Sequence, residues 1–330
     1  MYTIIFTLQC WLQLIFCNLI FHPFKQEIMK PGLTIIGAPS SAGAYGPGQE
    51  KTPDALRKVG LIQCLETNGL TVTDKNNVRG FRWRVDKENP RAMNADNVVE
   101  VAKDVSEKVY EALIKNEKIL VIGGDCTIEL GSVAGCLAMS DSIGLVYIDL
   151  DTDLNTPQSV EDGALDWMGV AHLLNIEGTV SKIASLGKTI PMLHPGQVHF
   201  FANGNMTDFE RTIINKHNIQ QTPLENVAAD PAGAAKKIRD GWASQFKHLL
   251  IHCDMDVLDY VDMPLAENYR RNIGLTFRQL MIALSEFLKA PNWSVLTITE
   301  INPDHGEEDG STLRALSESL AAALNSTSKG

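Results

Sequence analysis

The sequence lacks the closely spaced cysteines of a disulfide framework. Its six cysteines form no Cys-x-x-Cys pair and stand far apart, at Cys10, Cys17, Cys64, Cys126, Cys136 and Cys253. Small secreted scaffolds are held by dense disulfides, so this spacing argues against such a scaffold and favours a reducing, cytoplasmic location. We expect most of these thiols to pack as small apolar groups.

An excess of positive charge is also missing. The formal net charge is −11 at pH 7, which argues against nucleic acid or an anionic membrane as a partner, because both attract basic surfaces. Internal repeats, low-complexity tracts and linkers are not evident either. We therefore expect residues 29–330 to form a single domain.

Residues 1–28 have almost no charge, since the first charged residue is Lys25. A secretory signal needs a basic start and a small-residue cleavage site, and neither is evident. A membrane anchor needs about 20 apolar residues, and Gln9, Gln13 and Asn18 interrupt this stretch. We interpret residues 1–28 as a hydrophobic extension that precedes the working chain, with an anchor or a signal as the alternative.

From residue 32 onward, short apolar runs alternate with longer amphipathic segments. The apolar runs predict strands over residues 32–39, 118–125, 143–151, 197–202, 248–256 and 293–301. The amphipathic segments predict helices over residues 52–69, 95–116, 128–140, 166–176, 231–245, 276–290 and 311–325. Strands that alternate with helices and are apolar on both faces indicate a three-layer α/β fold with a mainly parallel sheet.

Four of the predicted strands end in acidic residues. These residues are Asp125, then Asp149, Asp151 and Asp153, then Asp254 and Asp256, and finally Glu300. In parallel sheets ligands bind at the carboxyl ends of strands, and like charges a few ångströms apart cannot all ionise cheaply. Divalent cations relieve such repulsion, and oxygen-rich sites suit Mn²⁺ or Mg²⁺. Helix capping or a solvated turn is the alternative for each acid taken singly.

These segments resemble the ureohydrolase family of arginase, agmatinase and formiminoglutamase, and are most similar to arginase. "IGGDCT" (122–127) is similar to the family's Gly-Gly-Asp-His-Ser, and "DLDTDLNTP" (149–157) to its Asp-Ala-His-x-Asp followed by Leu-Asn-Thr-Pro. "HCDMDVLD" (252–259) matches the family's Asp-x-Asp strand end, and "TEINP" (299–303) its Glu-Val-Asn-Pro motif. The similarity runs in consistent order over residues 32–325 and implies the arginase-like three-layer fold.

The resemblance also implies a centre of two divalent metal ions, Mn²⁺ in the family, which hydrolyses a guanidinium group and releases urea. Asp149 and Asp254 would bridge the two ions. Glu300 stands where the family holds the substrate guanidinium, and Asn155 where arginase contacts the amino-acid carboxylate. The full set at the ligand positions is Cys126, Asp149, Asp151, Asp153, Asp254 and Asp256. A homo-oligomer, a trimer or a hexamer, is implied as well.

The sequence departs from the family at four positions of the site, two of them ligand positions. Cys126 and Asp151 replace the two histidine ligands, Asp166 replaces the proton-shuttling histidine, and Asp162 replaces a hydroxyl residue that helps to hold the substrate carboxylate. Five carboxylates and a potential thiolate would then face two divalent ions, and the excess negative charge is costly in a poorly solvated pocket.

Several arrangements would relieve this excess. Cys126 could remain a thiol, an acid could remain protonated, the substrate could be strongly cationic, or the metal could be Zn²⁺ or Fe²⁺, which thiolates prefer over Mn²⁺. Asp151 could instead accept hydrogen bonds outside the metal site, Asp166 could cap a helix, and His252 is a minor candidate for a replacement ligand. Because the acids extend to the mouth of the site, we expect a cationic small-molecule substrate other than L-arginine.

Two functions follow from these residues. The first is a metal-dependent hydrolase of C–N bonds in linear amidines or guanidino compounds, in which Glu300 orients the substrate and Asp166 returns a proton to the leaving amine. The second is a catalytically inactive protein of the same fold that acts in binding or regulation. Every lost histidine is replaced by a group that can still bind metal or carry a proton, which favours the enzyme.

Overall fold

Eight parallel strands form one sheet in the described part of the chain, residues 32–326 of a computed structural model. The strands are β1 (Leu33–Gly37), β2 (Val72–Asn77), β3 (Lys118–Ile122), β4 (Ile143–Ile148), β5 (Val198–Asn203), β6 (Gln220–Pro223), β7 (His248–Asp254) and β8 (Trp293–Thr299). Their order across the sheet is β2-β1-β3-β8-β7-β4-β5-β6. The four strands predicted to end in acids, β3, β8, β7 and β4, are therefore the four central ones.

Helices cover both faces of this sheet. Within residues 32–326 the α-helices are α1 (Thr52–Lys58), α2 (Leu61–Thr67), α3 (Ala95–Leu113), α4 (Ile128–Met139), α5 (Gly169–Leu173), α6 (Ser181–Ala184), α7 (Asp208–His217), α8 (Leu224–Ala229), α9 (Pro231–Gln245), α10 (Phe277–Phe287) and α11 (Ser311–Ser326). Short 3-10 helices span Gln49–Lys51, Asp166–Met168, Pro195–Gln197 and Met255–Val257. Two separate apolar clusters lie on the two faces, one with α1, α2 and α8–α11 and the other with α3–α7. This arrangement confirms the predicted three-layer α/β fold.

The alternation of side chains along the strands decides which residues reach the site. In β7, Leu249, Ile251 and Cys253 belong to one apolar cluster, and Leu250 belongs to the other. Because successive side chains of a strand point to opposite faces, His252 shares the face of Leu250. Cys253 is thus a packing residue, as its place in the sequence predicts.

The structure differs from the predicted elements at the polar edges of the sheet. Strands β2 and β6 were not predicted, because their sequences, VTDKNN and QQTP, carry no apolar run. The predicted helix over residues 52–69 is divided into α1 and α2 at Gly60, whose φ of 97° is left-handed.

The hydrophobic extension predicted for residues 1–28 lies outside the described residues. Within residues 32–326, none of the helices combines the length and the apolar character that crossing a bilayer requires.

Candidate active site

The central strands deliver their acidic residues to one edge of the sheet. Asp149 follows β4, Asp254 ends β7, and Glu300 follows β8. Cys126 lies in the turn between β3 and α4, and this turn depends on Gly124, where a Cβ would stand 1.6 Å from the carbonyl oxygen of Ser40. The backbone can approach so closely only because glycine has no side chain.

Cys126, Asp254 and Glu300 line a cavity of about 210 Å³. Its lining consists of Tyr45, Cys126, Asp151, Asp153, Asp162, Ala164, Asp166, Trp167, Asp254, Asp256, Asn268, Arg270 and Glu300. Seven of the lining residues are acids, and Arg270 is the one base among them. The cavity therefore presents mainly carboxyl groups to any ligand that enters it.

Four buried side chains form a group that could hold a metal ion. One ligand atom from each of Cys126, Asp149, His252 and Asp254 lies within 4.8 Å of the others. The Cys126 thiol donates a hydrogen bond to Oδ2 of Asp254 at 3.1 Å, and its Sγ lies 3.4 Å from Nε2 of His252. The buried Oδ2 of Asp149 has no hydrogen-bond partner. We name these four residues the Cys-His-Asp group.

The electrostatics of this group favour a cation. Burial, followed by the charge of Asp254, raises the pKa of the Cys126 thiol well above its ordinary value. Burial also raises the pKa of the carboxyls of Asp149 and Asp254, and repulsion among the neighbouring acids adds to the shift at Asp149. A divalent ion would reverse both effects, because it stabilises thiolate and carboxylate together.

Three predicted ligands already have polar partners. Asp151 accepts a hydrogen bond from the guanidinium of Arg270 at 2.7 Å, and another from the side chain of Asn205. Asp256 accepts hydrogen bonds from the backbone N–H of Asn268 at 3.1 Å and from its side-chain amide. The third, Asp153, accepts a hydrogen bond from the hydroxyl of Tyr147.

Arg270 and Asn268 were not among the predicted site residues. Both lie in the connection between β7 and α10, where the sequence "ENYRRN" has neither strand nor helix periodicity. Their role depends on how this loop folds over the sheet edge, which a local pattern does not encode.

Glu300 and Asp166, the two predicted catalytic residues, both line the cavity. Glu300 accepts hydrogen bonds from the backbone N–H of Cys126 at 2.9 Å and from Nε2 of Gln49 at 3.0 Å. Asp166 accepts one from the backbone N–H of Trp167 at 2.9 Å, at the start of a 3-10 helix. Burial, reinforced by the charge of Asp125, raises the pKa of the Asp166 carboxyl well above its ordinary value.

The two residues predicted to contact a substrate carboxylate lie in different surroundings. Asp162 lines the cavity and accepts a hydrogen bond from the backbone N–H of Ala164 at 3.1 Å. Asn155 is buried, is not part of the cavity lining, and accepts hydrogen bonds from the hydroxyls of Ser159 and Thr207. A ligand in the cavity would therefore contact Asp162 and not Asn155.

His252 has a larger place in the site than the sequence indicated. Its ring stacks on that of Tyr147, with centroids 4.0 Å apart and planes 9° from parallel. Its Nδ1 lies 3.5 Å from a carboxylate oxygen of Glu129, the second residue of α4. The signal available in the sequence was the His-x-Asp spacing, which places His252 on the same face of β7 as Asp254.

Comparison with known sequences identifies the family of this chain. The sequence model of the Arginase family matches residues 32–325. Arginase from Staphylococcus aureus (strain MRSA252) is 27% identical over 288 residues, which are 84% of this chain and 92% of that protein. Arginase-1 from Homo sapiens is 26% identical over 295 residues, which are 88% of this chain and 91% of that protein.

Solved structures share the same architecture. Arginase from Bacillus caldovelox superposes with a TM-score of 0.79 at 21% identity, covering 91% of this chain and 99% of that one. Formiminoglutamase from Trypanosoma cruzi superposes with a TM-score of 0.67 at 17% identity, covering 91% and 94%. The structural likeness shows the fold, and the match over residues 32–325 shows that this chain belongs to the arginase family.

Proposed function

We propose that the protein is a metal-dependent hydrolase of C–N bonds in a linear amidine or guanidino compound. The observation that carries this proposal is the buried Cys-His-Asp group, which opens at Cys126 and Asp254 into a cavity lined by seven acids. Membership of the arginase family supports this class of reaction, and the acidic lining of the cavity supports a cationic substrate.

The residues present suit a divalent metal. The unpartnered, buried Oδ2 of Asp149 lies in the same group as a thiol, an imidazole and a second carboxylate, and this set of donors is typical of protein sites for Zn²⁺ or Fe²⁺. The family suggests two ions, Mn²⁺ in particular. When bound, such an ion activates water as a nucleophile and polarises the group that is attacked.

The chain's own residues would bind and orient the substrate. Glu300 keeps its carboxylate at the cavity through its two hydrogen bonds, so it is positioned to face a guanidinium. Tyr45 and Trp167 line the same cavity and offer aromatic surface to a cation. The exposed carboxylate of Asp162, which also lines the cavity, disfavours a substrate that carries a free carboxylate.

Asp166 would carry the proton that the leaving amine needs. Its carboxyl lines the cavity, and burial raises its pKa well above the ordinary value, which favours the protonated acid. A carboxylic acid with this property is suited to general acid catalysis.

Turnover with a panel of guanidines tests the proposal. Protein supplied with Mn²⁺, Zn²⁺ or Fe²⁺ should release urea or ammonia from alkylguanidines that lack a carboxylate, and more slowly from L-arginine. Asp254→Asn should abolish release, whereas Asp141→Asn, an exposed acid paired with Lys188, should leave it unchanged. Preference for L-arginine, or activity that survives Asp254→Asn, would contradict the proposal.

A binding protein without turnover is the second candidate. Arg270 already holds Asp151, and Asn268 already holds Asp256, so two acids at the family's ligand positions are engaged by the chain itself. Stoichiometric metal binding with no release from any guanidine would favour this candidate. The trimer or hexamer implied by the resemblance also stays a prediction, which light scattering would test.

A further inference from the structure

His252 is held in place by its neighbours on the adjoining strand. Tyr147 of β4 is paired in register with His252 of β7, which explains why their rings stack. Nε2 of His252 lies 3.4 Å from Sγ of Cys126 and 3.4 Å from Oγ1 of Thr299. The imidazole of His252 is fully buried, and its Nε2 therefore faces the thiol of Cys126 within the Cys-His-Asp group.

Glu129 lies on the other side of the same ring. Its carboxylate is buried at the start of α4, neither oxygen has a hydrogen-bond partner, and one oxygen is 3.5 Å from Nδ1 of His252. A metal-bound histidine almost always donates its second ring N–H to a carboxylate, a backbone carbonyl or a water, which fixes the tautomer and the ring orientation. Glu129 is the carboxylate that lies next to Nδ1 of His252, and Nε2 is left for a ligand.

The remaining acids at the family's ligand positions are engaged elsewhere. Asp151 is paired with Arg270, Asp256 with Asn268, and Asp153 with Tyr147. None of the three belongs to the Cys-His-Asp group. Arg270 therefore brings a fixed positive charge to the part of the acid cluster that this group does not include.

We infer that the protein binds one divalent metal ion, ligated by Cys126, Asp149, His252 and Asp254, with Glu129 as the positioning residue of His252 and with Arg270 taking the place of a second cation. The mixed sulfur, nitrogen and oxygen donors select Zn²⁺ or a similarly thiophilic ion over Mn²⁺. This inference rests on the metal dependence of the proposed function and adds the number of ions, their type and two further residues.

Metal stoichiometry tests the number of ions. Metal-free protein titrated with ZnCl₂ alone should bind about one equivalent, and CoCl₂ should give a sulfur-to-cobalt charge-transfer band that Cys126→Ser removes. Arg270→Gln should admit a second equivalent when the protein is titrated with MnCl₂, because Asp151 then loses its fixed counter-charge. Two equivalents in the unaltered protein, or a Co²⁺ spectrum without the charge-transfer band, would overturn the inference.

Variants of the histidine and its partner test the ligand set. His252→Gln should weaken Zn²⁺ binding more than Glu129→Gln, for which the loss should be about 10- to 100-fold. His199→Gln serves as the matched control, since His199 is a buried strand histidine that contacts Gln220 and Thr222 instead of the acids. Circular dichroism establishes that each variant is folded. If His252→Gln does not fold, the near-isosteric Glu129→Gln still tests the inference.

The outcomes separate this inference from the proposed function. One equivalent of metal that depends on His252, without turnover of any guanidine, would support the inference and reject the hydrolase. Turnover that requires two ions and survives His252→Gln would support the hydrolase and reject the inference.

Discussion

Two acidic residues of the site hold a left-handed backbone. Asp153 has a φ of 49° and Glu300 a φ of 59°, a conformation that costs a residue other than glycine about 1–2 kcal/mol. Their side chains offset this cost, because Asp153 accepts a hydrogen bond from Tyr147 and Glu300 accepts two from its neighbours. Backbone strain of this kind typically collects at functional sites, and here it lies at the carboxyl ends of β4 and β8.

His172 should make the stability of the protein sensitive to acid. Its Nδ1 faces the carbonyl oxygen of Met168 at 2.7 Å, and its Nε2 accepts a hydrogen bond from the backbone N–H of Val180 at 3.1 Å, so the ring is neutral. Burial lowers its pKa from 6.5 to about 4. The unfolded chain therefore takes up a proton first, and stability that is present above pH 6.5 is lost as the pH falls toward 4.

We expect this residue to contribute about 2 kcal/mol to the difference in unfolding free energy between pH 7 and pH 5. Urea unfolding at both pH values gives the change in unfolding free energy between pH 7 and pH 5 for the unaltered protein and for His172→Gln. The difference between these two changes is the contribution of His172. Other buried histidines contribute equally to both proteins. An identical dependence on pH in the variant would show that folding does not lower the pKa of His172.

At the scale of single elements, capping residues define where helices begin. Thr276 precedes α10, and its hydroxyl accepts a hydrogen bond from the backbone N–H of Gln279, whose side chain accepts one from the backbone N–H of Thr276. This reciprocal pair satisfies two backbone donors at the helix start. We expect Thr276→Ala to lower the free energy of unfolding by about 1 kcal/mol, as measured by urea denaturation.

An exposed threonine inside a helix is the matched control. Thr212 of α7 bonds only to the backbone carbonyl of Asp208 in the preceding turn, and alanine has the higher helix propensity. Thr212→Ala should therefore change stability by a few tenths of a kcal/mol in the stabilising direction. Equal losses for the two variants would mean that the cap at Thr276 contributes nothing beyond its side-chain volume.

The sequence predicts those elements whose signal is local. The six apolar strands and the longer helices follow from periodicity, and the acids at strand ends follow from the parallel sheet, because its central strands end at one edge. Edge strands β2 and β6 have too little apolar character to be recognised. The pairing of Arg270 with Asp151 joins residues 119 positions apart, so it depends on loop geometry that no local pattern contains. Whether the predicted ligands bind metal stays a prediction.

For the whole molecule, the central question is how a chain of net charge −11 keeps seven acids around one small cavity. Repulsion among these carboxyls opposes folding, and Arg270 is the one base in the cavity lining. Proton uptake, Arg270 and a bound cation are three ways to reduce this repulsion. A cation that binds the folded state alone would link the stability of the entire sheet to metal concentration.

Removing metal should therefore lower the thermal unfolding midpoint of the whole protein. Zn²⁺ at a concentration 100 times its dissociation constant should add about 2.7 kcal/mol to the free energy of unfolding, because only the folded chain assembles the Cys-His-Asp group. Differential scanning calorimetry of protein dialysed against a chelator, with and without added ZnCl₂, measures this effect. CaCl₂ is the control, because Ca²⁺ prefers oxygen ligands and has little affinity for a thiol and an imidazole. An unfolding midpoint that does not respond to Zn²⁺ would mean that protons and Arg270 alone balance the acids at this sheet edge.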